Sequence, residues 1–167
     1  MEDIERKRPK IHKANYMLQQ KVGSGPLDPA AIERMQNAID TNEVDFTPLG
    51  MEYLNQLSEA LEHAKDDSVD LGERKERLTG PVMQLKANAT IFHYNLIGSL
   101  ANVMLSFLEA IKELDKDAID IVKAHHTTLH AIILKKMQGD GGEIGATMVK
   151  ELKDACARYY KKKKEQK

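Results

Sequence analysis

The strongest constraint on the fold is a series of apolar residues that recur at intervals of three and four positions. One stripe consists of Met51, Leu54, Leu57 and Leu61. The clearest consists of Leu96, Leu100, Val103, Phe107, Leu108 and Ile111. A third consists of Ile121, Leu129, Ile132, Ile133 and Met137. This spacing puts apolar side chains on one face of a helix, whereas a half-buried strand alternates apolar and polar residues.

Composition favours the same structural class. The chain has no tryptophan and only 5% aromatic residues, so residues that favour strands are scarce. Its 167 residues correspond to about one domain. The predicted fold is all-α, with an antiparallel four-helix-bundle core and additional short terminal helices. Such a bundle is the simplest way for several amphipathic helices to bury their apolar faces.

Helix boundaries are marked by capping residues, prolines and glycines. Asp28 and Thr47 each precede a proline, which is a typical helix start. The first of these helices is predicted to run to about Asp40 and to bury Ile32, Met35 and Ile39.

Further along the chain, the run Thr79–Pro81 predicts an interruption or kink, and a weaker break is expected near His93–Asn95. Asp117 is the expected cap of the next helix. The glycines Gly139, Gly141 and Gly142 are expected to end it.

Charge and chain organisation suggest three regions. We expect an irregular segment at 1–28, with at most a short helix over 11–21, then one bundle domain at 29–160 and a basic tail at 161–167. Lys+Arg is 25 and Asp+Glu is 26, which argues against a dedicated nucleic-acid-binding protein. Both ends are basic and the middle is acidic. The run Lys161–Lys164 is interpreted as a solvated, frayed end, with contact to an anionic partner as the alternative.

Several other classes of protein are disfavoured. Cys156 is the sole cysteine, so an internal disulfide and the usual cysteine-based zinc sites are excluded. Cys156 falls on the apolar stripe of the last helix, where a buried small hydrophobic residue is expected. No apolar run is long enough for a membrane span, and the start lacks the apolar core of a signal peptide. We expect a soluble cytoplasmic protein without a cofactor.

One segment resembles a known family. In Met83–Ala89, Leu85 and Lys86 match the Leu-Lys pair in the active-site helix of histidine phosphotransfer domains, whose pattern is His-x-Leu-Lys-Gly followed by small residues. Ala87 stands where glycine is usual, and two small residues follow it. The next helix, which ends in Phe107-Leu108-Glu109, also resembles its counterpart in that family. As an architecture the resemblance covers residues 45–138.

The resemblance implies a four-helix bundle that docks onto receiver domains in bacterial phosphorelays. The position of the phosphorylated histidine is occupied by Met83, whose thioether cannot accept a phosphoryl group. His93, the nearest histidine, is nearly three helical turns further on. The resemblance therefore implies a non-catalytic signalling module, of the two-component or chemotaxis type, that binds receiver domains or related proteins. A homodimer is a further expectation for this chain. The expected docking surface comprises Met83, Lys86, Ala87 and Thr90.

An enzymatic alternative comes from acid–amide pairs one helical turn apart. Some response-regulator phosphatases use such a pair, in which the amide positions an attacking water. Glu52 with Asn55 or Gln56 has this form, and so does Glu33 with Asn37. Since this composition produces about as many pairs by chance, the spacing alone does not establish catalysis.

A metal site is the other alternative. His126 and His130 lie four residues apart, on one helix face, and His125 is adjacent. Such a pair can share an ion if carboxylates of another helix converge on it. The chain has no Glu-x-x-His, however, so the three histidines are interpreted as a partly exposed helix face and no metal is predicted. A phosphoacceptor histidine among them is a further alternative.

Overall fold

The computed structural model describes residues 28–41 and 44–165, and every regular element in them is an α-helix. The helices are α1 (Pro29–Asp40), α2 (Thr47–His63), α3 (Leu71–Ala89), α4 (Asn95–Ala110), α5 (Lys116–Leu134) and α6 (Gly142–Glu165). The predicted all-α class is confirmed. The expected short helix over 11–21 lies outside the described residues. No helix in the described part of the chain is long and apolar enough to cross a membrane.

The chain divides into two units, residues 1–37 and 38–167. Of the first unit the structure describes 28–37, which is most of α1. This helix starts where it was predicted, because the Asp28 carboxylate accepts a hydrogen bond from the Ala30 amide at 3.0 Å. No residue of α1 is buried, so the prediction that Ile32, Met35 and Ile39 are buried is wrong. Helical spacing identifies the apolar face of a helix but does not provide an element to cover it.

In the second unit, four helices form a closed ring of contacts. α2 packs against α3 and α5, and α4 packs against the same two helices. Short connections make consecutive helices run in opposite directions. Inside the ring the side chains are almost fully buried, among them Leu54, Leu57, Leu85, Leu100, Met104 and Leu129. The sixth helix, α6, packs outside the ring against α4 and α5.

The interruption predicted at Thr79–Pro81 is wrong, because α3 continues through it from Leu71 to Ala89. Gly80 precedes the proline and has no Cβ with which the pyrrolidine ring could clash. Leu78 and Val82, on either side, are both buried in the core, which holds the helix in place. The predicted break near His93–Asn95 is confirmed, since a turn separates α3 from α4 and His93 has a φ of 63°.

Two helix boundaries differ from the predictions. Asp115, not Asp117, caps α5, and its carboxylate accepts a hydrogen bond from the Ala118 amide at 2.8 Å. Asp117 lies within the first turn. Gly142 begins α6 instead of ending α5, which stops at Leu134. Its φ of 57° belongs to the tight connection that leads into α6.

The expectation of a frayed lysine tail is wrong as far as residue 165, because α6 extends to Glu165. Lys162 forms an ion pair with Asp117, and Lys163 bridges Glu113 and Asp115. These carboxylates lie in the connection between α4 and α5 and in the first turn of α5. They therefore fix the end of α6 to the bundle and offset the repulsion among neighbouring lysines.

Candidate functional site

Of the four residues predicted to form a docking surface, Met83, Lys86 and Ala87 lie on one exposed face of α3, and Thr90 is the cap at the C-terminal end of that helix. Met83, Lys86, Ala87 and Thr90 are all exposed, whereas Leu85 and other residues on the opposite face are buried. We refer to these four residues as the α3 strip. Met83 is 59% exposed, so its thioether side chain is available for contact with another molecule. The structure therefore places the four predicted residues together on one accessible surface.

The charge in the α3 strip comes from Lys86. Its Nζ donates a hydrogen bond to Oδ1 of Asn102 on α4 at 2.8 Å. Asn102 is neutral, and Lys86 has no ion pair within residues 28–41 and 44–165. The hydrogen bond positions the ammonium group between α3 and α4 while its charge remains available to an anionic group.

A groove of about 540 Å³ runs between α3 and α4 beside Met83. Its lining includes Met83, Lys86, Asn102, Leu105 and Ser106, and we call it the α3–α4 groove. At its far end Lys75 donates hydrogen bonds to the carbonyl oxygens of Glu109 and Ile111, at 3.2 and 3.0 Å. The α3–α4 groove is thus lined by both apolar and polar side chains, a mixture that is also found at protein contact sites.

A second and larger groove, of about 910 Å³, lies on the other side of Lys86. Helix α4 forms its floor, and α3 and α6 form its walls; we call it the α4 groove. Its lining includes Gly98, Ser99, Lys150 and Lys153. The sequence analysis did not identify these residues, because they belong to helices that are far apart in the chain.

The acid–amide pairs are exposed. On α2, Gln56 Nε2 donates to Glu52 Oε1 across a long distance of 3.5 Å, and Asn55 is also exposed. Glu33 and Asn37 are exposed on α1. Each pair therefore presents a carboxylate and an amide to solvent, one turn apart.

The three neighbouring histidines of α5 have different surroundings. His125 is fully buried, and its Nδ1 donates to the Ile121 carbonyl at 2.9 Å. Its Nε2 is buried and has no hydrogen-bond partner among the described residues. His126 Nε2 donates to the Leu54 carbonyl at 3.1 Å, and its ring stacks on His130 with centroids 6.2 Å apart. No group of three or more potential metal-ligating side chains occurs in the described residues, so nothing here supports metal binding by His126 and His130.

The burial of His125 makes stability depend on pH. Desolvation lowers the pKa of His125 from its ordinary value of 6.5, and the hydrogen bond to the Ile121 carbonyl offsets only part of this effect. Below about pH 6.5 the unfolded chain binds a proton that the folded chain does not. The free energy of unfolding therefore falls as the pH drops from about 6.5 towards the folded pKa. Burial shifts the pKa of His126 in the same direction.

Replacing His125 with leucine is expected to reduce this loss of stability by up to about 1.4 kcal/mol per pH unit. The measurement is urea denaturation at several values between about pH 7 and pH 5. Part of the pH dependence of the unfolding free energy should remain in this variant, because burial also lowers the pKa of His126. The control is Thr127→Leu, at an exposed position on α5, which removes no titrating group and should leave the slope unchanged. A slope in His125→Leu equal to that of the parent protein would show that His125 is not the titrating group.

Cys156 is buried, as predicted, and burial raises the pKa of its thiol to about 11. The thiol is therefore protonated at neutral pH and is a poor nucleophile.

Comparison with known protein families, curated proteins and solved structures finds no match to this chain. Its function is therefore inferred from the surfaces described above.

Proposed function

We propose that the chain is a non-catalytic signalling module that binds receiver domains, or related two-component proteins, through the α3 strip. The observation that carries this proposal is the exposure of Met83, Lys86, Ala87 and Thr90 on one side of a helix whose other side is buried. This arrangement offers an apolar contact, a positive charge and two small side chains on a rigid support.

The composition of the strip favours docking over phosphoryl transfer. Met83 occupies the position of the phosphorylated histidine in the family that this segment resembles, and a thioether cannot form a phosphoramidate. His93 cannot take its place on the same helix face, because α3 ends at Ala89 and His93 lies in the turn that follows. The strip is thus suited to hold a partner without accepting its phosphoryl group.

The chemistry of the strip also indicates how it would recognise a partner. Met83 is unbranched and flexible, so it can adapt to an apolar surface. Ala87 is small enough to let another backbone approach closely. Lys86 would meet an acidic or phosphorylated group, since its ammonium is positioned by Asn102 and has no competing ion pair among the described residues.

Met83→Ala and Lys86→Glu are each expected to weaken receiver binding by about tenfold or more, because central apolar and charged contacts dominate interface energies. Binding would be measured by calorimetry against purified receiver domains of the same organism, with and without beryllofluoride as a phosphoryl mimic. The controls are Ile144→Ala and Lys135→Glu. Both positions are exposed. Ile144 lies on α6 and Lys135 directly follows α5, and neither helix contacts α3 in the described part of the chain.

Two results would contradict the docking proposal. One is binding that is unchanged in both strip variants, and the other is no binding to any receiver domain. The same mixtures also test the enzymatic alternative. Faster release of phosphate from a phosphorylated receiver, abolished by Glu52→Ala or Gln56→Ala but not by Glu59→Ala, would identify a phosphatase instead.

A further inference from the structure

The α4 groove is long enough to accommodate two or three turns of a helix. Its floor on α4 extends from Asn95 to Val103, and its wall on α6 extends from Gly142 to Asp154. At 1.5 Å per residue these stretches are about 12 and 18 Å long, which corresponds to two or three turns of helix. Within the described residues α3 and α6 do not contact each other, so the space above α4 is open between two helical walls.

The floor of this groove has room for a larger side chain at Gly98 than the glycine that stands there. A Cβ added to Gly98 would meet nothing closer than Thr90 Oγ1, at 3.9 Å. By contrast, a Cβ at Gly50 would lie 2.8 Å from Cδ1 of Ile133, so packing within the bundle explains that glycine. Glycine inside a helix is unfavourable relative to alanine. Packing within the bundle therefore does not account for the glycine at position 98, and Ser99 beside it is also small.

The walls of the α4 groove supply positive charge. Lys86 on α3 and Lys150 and Lys153 on α6 line it, and none of the three forms an ion pair in the described part of the chain. Two carboxylates, those of Asp140 and Asp154, also line the groove. The Asp140 carboxylate already accepts a hydrogen bond from the Gly142 amide at the start of α6.

From the shape and charge of this groove we infer that the docked partner places an α-helix along α4, with small or apolar residues over Gly98 and Ser99 and carboxylates opposite Lys150 and Lys153. This inference rests on the proposed docking function and names the element of the partner that is recognised. Small residues on the floor allow the two helix axes to approach closely. The lysines select an acidic helix and make the association sensitive to salt.

The test uses the full chain and the receiver domain that binds it most tightly. Ser99→Leu fills the groove, and a Lys150→Glu/Lys153→Glu double variant reverses its charge; each should weaken binding at least tenfold. The double variant should also weaken the dependence of affinity on sodium chloride concentration. Gly98→Ala should raise the melting temperature and yet weaken binding. If Gly98 had only a structural role, a more stable variant would not bind more weakly. The matched controls are Ala124→Leu, at an exposed position on α5, and Lys135→Glu, at the exposed position that directly follows α5.

Met83 lines the α3–α4 groove and not the α4 groove, so it separates the two proposals. If Met83→Ala weakens binding while the Gly98, Ser99 and double-lysine variants bind normally, the inference about the helix is overturned and the docking function stands. If Met83→Ala, Lys86→Glu and the groove variants all bind normally, both proposals fail. Hydrogen exchange of the complex should show protection of one continuous helix in the partner, and protection confined to its loops would also overturn the inference.

Discussion

Replacing Phe107 with alanine is expected to lower the free energy of unfolding by about 3–5 kcal/mol. The side chain is 2% exposed. Its ring meets Tyr159 edge-on, with centroids 5.3 Å apart, and lies 5.9 Å from the ring of Tyr160. The lost side chain would leave a cavity between α4 and α6, whose main aromatic contacts would disappear with it.

Urea denaturation followed by circular dichroism measures this loss. The matched control is Phe92→Ala, because Phe92 is only partly buried, although its ring stacks on Phe46 at 5.0 Å. The control should cost less than the change at Phe107. Equal losses, or a loss below about 1 kcal/mol at Phe107, would mean that the aromatic cluster does not hold α6 to the bundle.

Gly145→Ala is expected to destabilise the protein by about 2–3 kcal/mol, since overpacking forces the backbone to shift. An added Cβ would lie 2.1 Å from the carbonyl oxygen of Asp140 and 3.2 Å from Leu96 Cδ1. The carbonyl belongs to the backbone and cannot rotate away as a flexible side chain would. The connection before α6 would therefore have to move away from α4.

Gly98→Ala provides the contrast for this second prediction. Both glycines lie in helices, but a Cβ at Gly98 meets only Thr90 Oγ1, at 3.9 Å. Alanine at that position should therefore raise the free energy of unfolding by about 0.5–1 kcal/mol. Thermal and urea unfolding of the two variants should move in opposite directions. A similar shift in both would show that close approach does not explain the glycine at 145.

Sequence periodicity predicted the helices well where their apolar faces are covered. The stripe from Leu96 to Ile111 corresponds to α4, which packs against three other helices. Periodicity failed to predict burial in α1, where no residue is buried. An apolar stripe shows which face of a helix could be buried, but not which element would cover it. The cap of α5 was also missed. Asp115 and Asp117 have the same chemistry two positions apart, and only the extended backbone of Asp115, with ψ at 177°, determines which one caps.

The candidate site was predictable only where it lies on a single helix. Met83, Lys86, Ala87 and Thr90 are spaced so that any continuous helix would place them on one face. The α4 groove combines Lys86, Ser99 and Lys150, which come from three helices. Bringing them together depends on how those helices pack, which local patterns do not specify. The docking function and its receiver-domain partner remain predictions for the experiments above.

The central position of α4 has a mechanical consequence. It is the only helix that contacts both α3 and α6 within the residues described, so those two helices can shift relative to each other without breaking a direct contact. A ligand that contacts both helices would provide the connection between them that the protein itself lacks within the described residues. It would join α3 and α6 by direct contacts, in addition to the contacts that each of them makes with α4.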